Sequence, residues 1–193
     1  LYGVMFPVSN AGWIVGGNGT ILKYTNQNQT PDEWAVNLGV NDAGGSDASN
    51  QLVFGQNINA TDGIDASLGE VEIPPPPPAG IFDVRFILPD PTITSLIDYR
   101  NSAKSRIDWI IQFQPGSAGY PITFTWDQYQ LPVGSVYLKD LINGSIVNVN
   151  MNEQSSYTVT NAGINSLKIE FIRQACGDVE LIGSWNMLSI PFE

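Results

Sequence analysis

A chain of 193 residues, 42% of them hydrophobic, is long enough to bury one generous core, about 70% of its unfolded surface. Its 8 basic and 19 acidic residues leave a net charge of −11, which repels phosphate backbones and anionic lipid and excludes nucleic acid as a natural partner. One cysteine, Cys176, and no histidine rule out an internal disulfide, a Ser-His-Asp triad, a Cys-His pair and a His-ligated zinc within this chain.

The first residues lack the basic start and small-residue cleavage site of a signal peptide, so the chain reads as an excerpt with any export signal upstream. No apolar run approaches the roughly 20 residues of a membrane helix, and membrane insertion is not expected. Residues 1–31 form a short β unit, and a first strand and turn are written in Gly12-Trp13-Ile14-Val15-Gly16-Gly17-Asn18-Gly19. Residues 32–173 carry the main body. Residues 174–193 are a linker, with Cys176 in it, followed by an apolar strand.

Within the main body apolar residues alternate with polar ones at period two. Phe82, Val84 and Phe86 share one face of a strand. So do Ile107, Trp109, Ile111 and Phe113; Ile122, Phe124 and Trp126; Val136 and Leu138; and Leu167, Ile169 and Phe171. Turn chemistry separates them, and Asn143-Gly144, between Leu141-Ile142 and Ile146-Val147, predicts a tight hairpin. No apolar stripe of helical period persists. The prediction is an all-β chain: an antiparallel β-sandwich of Ig-like or jelly-roll type, with an N-terminal β-hairpin and a C-terminal extension strand. Five consecutive prolines at positions 74–78 form a stiff polyproline II segment that cannot donate to a sheet. It is read as a crossover between the sheets that protects an edge, with a ligand for proline-binding domains as the other reading.

Two resemblances add context. Residues 11–26, with the Gly-Trp strand, the Gly-Asn-Gly turn and Ile21-Leu22-Lys23-Tyr24-Thr25, resemble one repeat of BNR-type and photosystem-assembly-factor-like β-propellers. A single repeat implies a propeller-blade-like unit that must dock on something else. Leu52-Val53-Phe54-Gly55, Ala60-Thr61-Asp62-Gly63-Ile64-Asp65, the proline run, Phe82-Asp83-Val84-Arg85-Phe86, Asp98-Tyr99-Arg100 and Trp126-Asp127 resemble a β-sandwich module of large secreted proteins of the Bacteroidetes, Chlorobi and Ignavibacteria group. That resemblance implies export through type-nine secretion, an extracellular or cell-surface location, and modular architecture. Residues 183–191 are similar to the opening strand of a further module of the same proteins.

Three sets of residues are candidates for function. Asp62, Asp65 and Glu70, with Asp42 and Asp47 nearby, offer the hard oxygens that calcium requires, although their spacing is not that of an EF-hand; the other reading is turn-forming aspartates. Trp34, Tyr99, Tyr120 and Tyr129 lie near segment ends, where aromatic faces could stack on the rings of a polysaccharide, whereas Trp109 and Trp126 belong to the core. Trp185, Met187, Leu188 and Ile190 mark the terminal strand as an assembly surface. An incomplete blade at one end and an orphan strand at the other predict head-to-tail strand exchange between copies, building a filament. Arg85 is expected to form an ion pair with Asp83 or Asp98. No glycosidase-like motif accompanies the carboxylates. The sequence therefore predicts a non-catalytic structural or adhesive module whose partners are other copies or neighbouring modules, with a carbohydrate-binding module of a secreted hydrolase as the alternative.

Overall fold

The computed structural model describes residues 33–45 and 52–174 in full, and three N-terminal strands as backbone. By compactness the chain divides into two units, one made of Leu1–Asn28 with Ala175–Glu193 and the other of Gln29–Gln174. In the first unit, β1 (Gly3–Val8), β2 (Ala11–Val15) and β3 (Ile21–Thr25) form an antiparallel sheet in the order β1-β2-β3. The expected hairpin is thus β2 and β3, and a third strand precedes it. Cys176, Asp47 and the four assembly residues Trp185, Met187, Leu188 and Ile190 lie outside the described residues.

The second unit is a β-sandwich, as the alternation predicts. Its strands are β4 (Trp34–Asn41), β5 (Leu52–Asn57), β6 (Asp83–Ile87), β7 (Thr94–Ser95), β8 (Ile97–Asn101), β9 (Arg106–Gln114), β10 (Ile122–Trp126), β11 (Gly134–Lys139), β12 (Asn148–Asn150), β13 (Ser156–Val159) and β14 (Ser166–Arg173). A five-stranded sheet runs β13-β10-β4-β5-β8, and a six-stranded sheet runs β12-β11-β14-β9-β6-β7. All pairs within the two sheets are antiparallel except β5 with β8. Among the described residues no helix is long and apolar enough to cross a membrane.

The inner faces are the alternating apolar sets read from the sequence. Val36, Leu38 and Val40 of β4 and Phe124 of β10 face Ile107, Trp109, Ile111 and Phe113 of β9 and Leu167, Ile169 and Phe171 of β14, all buried in one core. Each such aliphatic or aromatic side chain contributes about 1.5–3 kcal/mol on burial. Both chain ends of the sandwich lie at the same end of it, because β4 begins opposite Gln56, where β5 finishes, and Arg173 at the finish of β14 reaches the same Gln56.

The loop after β11 departs from the predicted tight hairpin. Strands β11 and β12 pair only from Lys139 with Asn148 onward, and the intervening residues wrap around one carboxylate. Asp140 Oδ1 accepts from the backbone of Ile142, Asn143 and Gly144 at 2.9, 3.0 and 3.1 Å, and Oδ2 from Ile146 and Val147 at 2.9 and 3.0 Å. Gly144 still has a positive φ of 76°, as the Asn-Gly pair suggests, but a buried aspartate two residues before the expected strand end outcompetes ladder pairing for these amides.

Candidate functional site

Among the described residues, the carboxylates picked from the sequence turn to separate partners. Asp65 takes the Thr61 amide at 2.6 Å and the Thr61 hydroxyl at 3.1 Å. Its own amide donates to Glu70 at 2.8 Å, and the other Glu70 oxygen accepts from the Tyr99 amide at 2.6 Å. Glu70 is buried and latches the segment after β5 onto β8; burial pushes its pKa up, while the Asp65 and Tyr99 amides hold it down. Asp62 turns instead to Lys104 and, at 3.5 Å, to Arg100. The hydrogen bond from Lys104 holds it below the usual carboxylate range. Asp42 is buried too, accepting from the amides of Gly44 and Gly116. Among the described residues no group of three or more His, Cys, Asp or Glu side chains is placed to hold a metal ion.

The aromatic candidates separate in the same way. Trp34 is 7% exposed and packs edge-on against Phe54, Trp109 and Phe171 at centroid distances of 5.9, 5.7 and 5.3 Å. It is core, because it begins the inward set of β4 rather than a loop. Tyr99, half-buried on the outer side of β8, covers Gly55. A Cβ at Gly55 would meet the Trp34 carbonyl oxygen at 2.1 Å and the Tyr99 ring at 3.0 Å. Tyr120 packs against the core and donates to the Ile164 carbonyl at 2.6 Å. Only Tyr129 of the four stands free, 94% exposed in a 3-10 turn after β10 that Asp127 caps. Tyr120 and Tyr129 flank opposite ends of β10, and β4 and β5 separate that strand from Tyr99, so the four residues form no common platform.

Arg85 pairs with Asp83, two contacts of 2.7 Å each. The alternative partner Asp98 lies on the other sheet. There Arg100 Nη2 meets Asp98 at 2.6 Å, both side chains buried on the inner side of β8. Burial pushes Asp98 up to about 6 despite Arg100. Arg100 Nε and Ser102 Oγ are buried with no hydrogen-bond partner.

A feature the sequence reading missed is the difference between the two outer faces. On the six-stranded sheet, Glu170 is buried beneath Arg106 and Lys139, each 2.5 Å from it, and Lys168 holds Asp108 at 2.7 Å. Lys139 is the main cause that keeps Glu170 below its usual range. Strand pairing places Ala35, Asn37, Gly39 and Asn41 of β4, Thr123 and Thr125 of β10, and Ser156 and Thr158 of β13 on the outer face of the five-stranded sheet. Val53 and Gly55 of β5 and Ile97 and Tyr99 of β8 continue it. No Asp, Glu, Lys or Arg occupies any of these outward positions. The hydroxyls of Thr123 and Thr158 bond each other across strands at 3.0 Å, while Ala35, Asn37, Thr125, Ser156 and Thr158 are exposed. This face was legible in principle, since every second residue of Trp34–Asn41 and of Ile122–Trp126 is small and uncharged. No family model matches the chain, and no curated protein or solved structure is significantly similar to it.

Proposed function

We propose that the chain is a non-catalytic structural or adhesive module of a larger secreted or cell-surface bacterial protein, and that it makes contact through the uncharged outer face of its five-stranded sheet. The observation that carries this reading is the charge asymmetry between the two outer faces in a chain of net charge −11. An array of Thr, Ser and Asn side chains on strands about 4.8 Å apart offers hydroxyl and carboxamide groups to a neutral, hydroxyl-rich surface without desolvating any charge. A neutral polysaccharide has that chemistry. The buried carboxylates, in contrast, are engaged by amides, guanidinium groups and ammonium groups of the module itself, which favours binding over chemistry.

The test is a glycan array, followed by calorimetry, comparing neutral with anionic polysaccharides at low and high salt. Binding to a neutral glycan that persists at high salt and is lost in Thr125→Arg supports the reading. Absence of any neutral ligand, or binding that vanishes with salt, overturns it.

A further inference from the structure

The proline run contains more than the sandwich needs. Edge protection is complete before it starts: Glu72 bridges Ser95 of the edge strand β7, and the Ile73 amide donates to the Thr94 carbonyl at 3.0 Å. Beyond the run, Gly80 bridges Gly116. Between these anchors the segment covers the buried Arg85, whose Nη1 donates to the Pro74 carbonyl at 2.6 Å. Gln114 Nε2 reaches the carbonyls of Pro77 and Pro78 at 3.1 and 3.2 Å.

Consecutive prolines fix polyproline II geometry, with three residues per turn. Positions 74 and 77 therefore share one side, 75 and 78 the next, and 76 the third. Pro77 is half-buried, whereas Pro74, Pro75, Pro76 and Pro78 are exposed. Among the described residues no donor reaches the carbonyls of Pro75 or Pro76. The carbonyls of Pro74, Pro77 and Pro78 are thus fastened to the module, while the exposed Pro75 and Pro76 keep unused acceptors.

We infer that Pro75, Pro76 and Pro78 form a docking ridge for an aromatic-lined groove on a partner protein. Prolyl rings present apolar C–H surface on which Tyr and Trp rings stack, and a Trp indole N–H or Tyr hydroxyl supplies the donor that the two free carbonyls accept. Because the ridge is held at both ends and by two side chains, a partner meets it already ordered and loses little conformational entropy on binding. This surface is independent of the uncharged sheet face.

The experiment titrates the full chain into a ¹⁵N-labelled WW domain that recognises uninterrupted proline runs, following the indole N–H of its groove. Saturable shifts are expected, with affinity weakened about tenfold in the Pro75→Ser/Pro76→Ser double variant and its melting temperature lowered by only a few degrees, because both side chains are exposed and the loss is confined to the entropy gained by the unfolded chain. No shift at about millimolar chain, or binding that the double variant leaves intact, overturns the inference.

Discussion

Trp34 and Arg173, from the first and last strands of the sandwich, donate to the same side-chain oxygen: Gln56 Oε1 lies 3.1 Å from the indole nitrogen and 2.9 Å from Arg173 Nη2. The amide nitrogen of Gln56 donates in turn to the carbonyls of Asn101 and Lys104 at 3.2 and 3.0 Å. A fully buried glutamine thereby closes the end of the unit where the chain enters and leaves. Substituting it removes one partner from four groups at once, and buried polar groups left without a partner each cost about 1–3 kcal/mol. Gln56→Ala is expected to lower stability by about 3 kcal/mol, read from denaturant melts as a shift in midpoint at unchanged slope. A loss below about 1 kcal/mol would mean that water replaces the glutamine and that the clasp is not structural.

The Asp98–Arg100 pair sets the response to mild acid. Burial raises Asp98 from 3.8 to about 6, with Glu70 and Asp62 adding to the push and Arg100 opposing it. Between those two values the folded chain holds a proton at Asp98 that the unfolded chain has released, so acidification favours folding in this window and rising pH weakens it. Glu70, also raised, acts in the same direction. Asp62 and Glu170 are lowered and act oppositely. Their contribution is complete above the unfolded pKa of about 4 and is lost as pH falls below it. The melting temperature is expected to rise from about pH 7 to about pH 4 and to fall at lower pH. Asp98→Asn should remove most of the first slope; an identical slope in that variant would assign the effect elsewhere.

The fold was legible wherever inward positions are apolar. The alternation of Ile107, Trp109, Ile111 and Phe113 and of Leu167, Ile169 and Phe171 marks β9 and β14, and these strands pair at the centre of the six-stranded sheet. Strand β8 was not legible, because its inward residues are Asp98 and Arg100, charges that neutralise each other and read as a polar loop. The aromatic candidates are dispersed for a related reason. Composition gives the number of rings, whereas exposure depends on which parity of each strand faces the core, and Trp34 sits on the same parity as Val36 and Leu38.

That distinction gives a direct comparison. Trp34→Ala removes a ring packed against three others and is expected to cost about 3–5 kcal/mol. Tyr129→Ala, on an almost fully exposed side chain, should stay within about 0.5 kcal/mol. Thermal melts of the two variants check it. Equal and small effects would contradict the placement of Trp34 in the core.

The loop held by Asp140 makes the last case. Its aliphatic residues Leu141, Ile142 and Ile146 are exposed, so apolar burial does not fix its path; the five amide hydrogen bonds to one carboxylate do. Those donors, Val147 foremost, hold the Asp140 pKa far below the usual carboxylate range. Its stabilisation is therefore present above the unfolded pKa of 3.8 and is lost only as pH falls toward the depressed folded value. In Asp140→Ala the amides of Ile142, Asn143, Gly144, Ile146 and Val147 lose their acceptor together. Hydrogen exchange at these five should accelerate while the amides of β9 and β14 keep their protection. Asp140→Asn retains one acceptor oxygen and is expected to free mainly one of the two groups of amides, those on Oδ1 or those on Oδ2. Unchanged exchange at all five positions in the alanine variant would show that strand pairing, not the carboxylate, orders the loop.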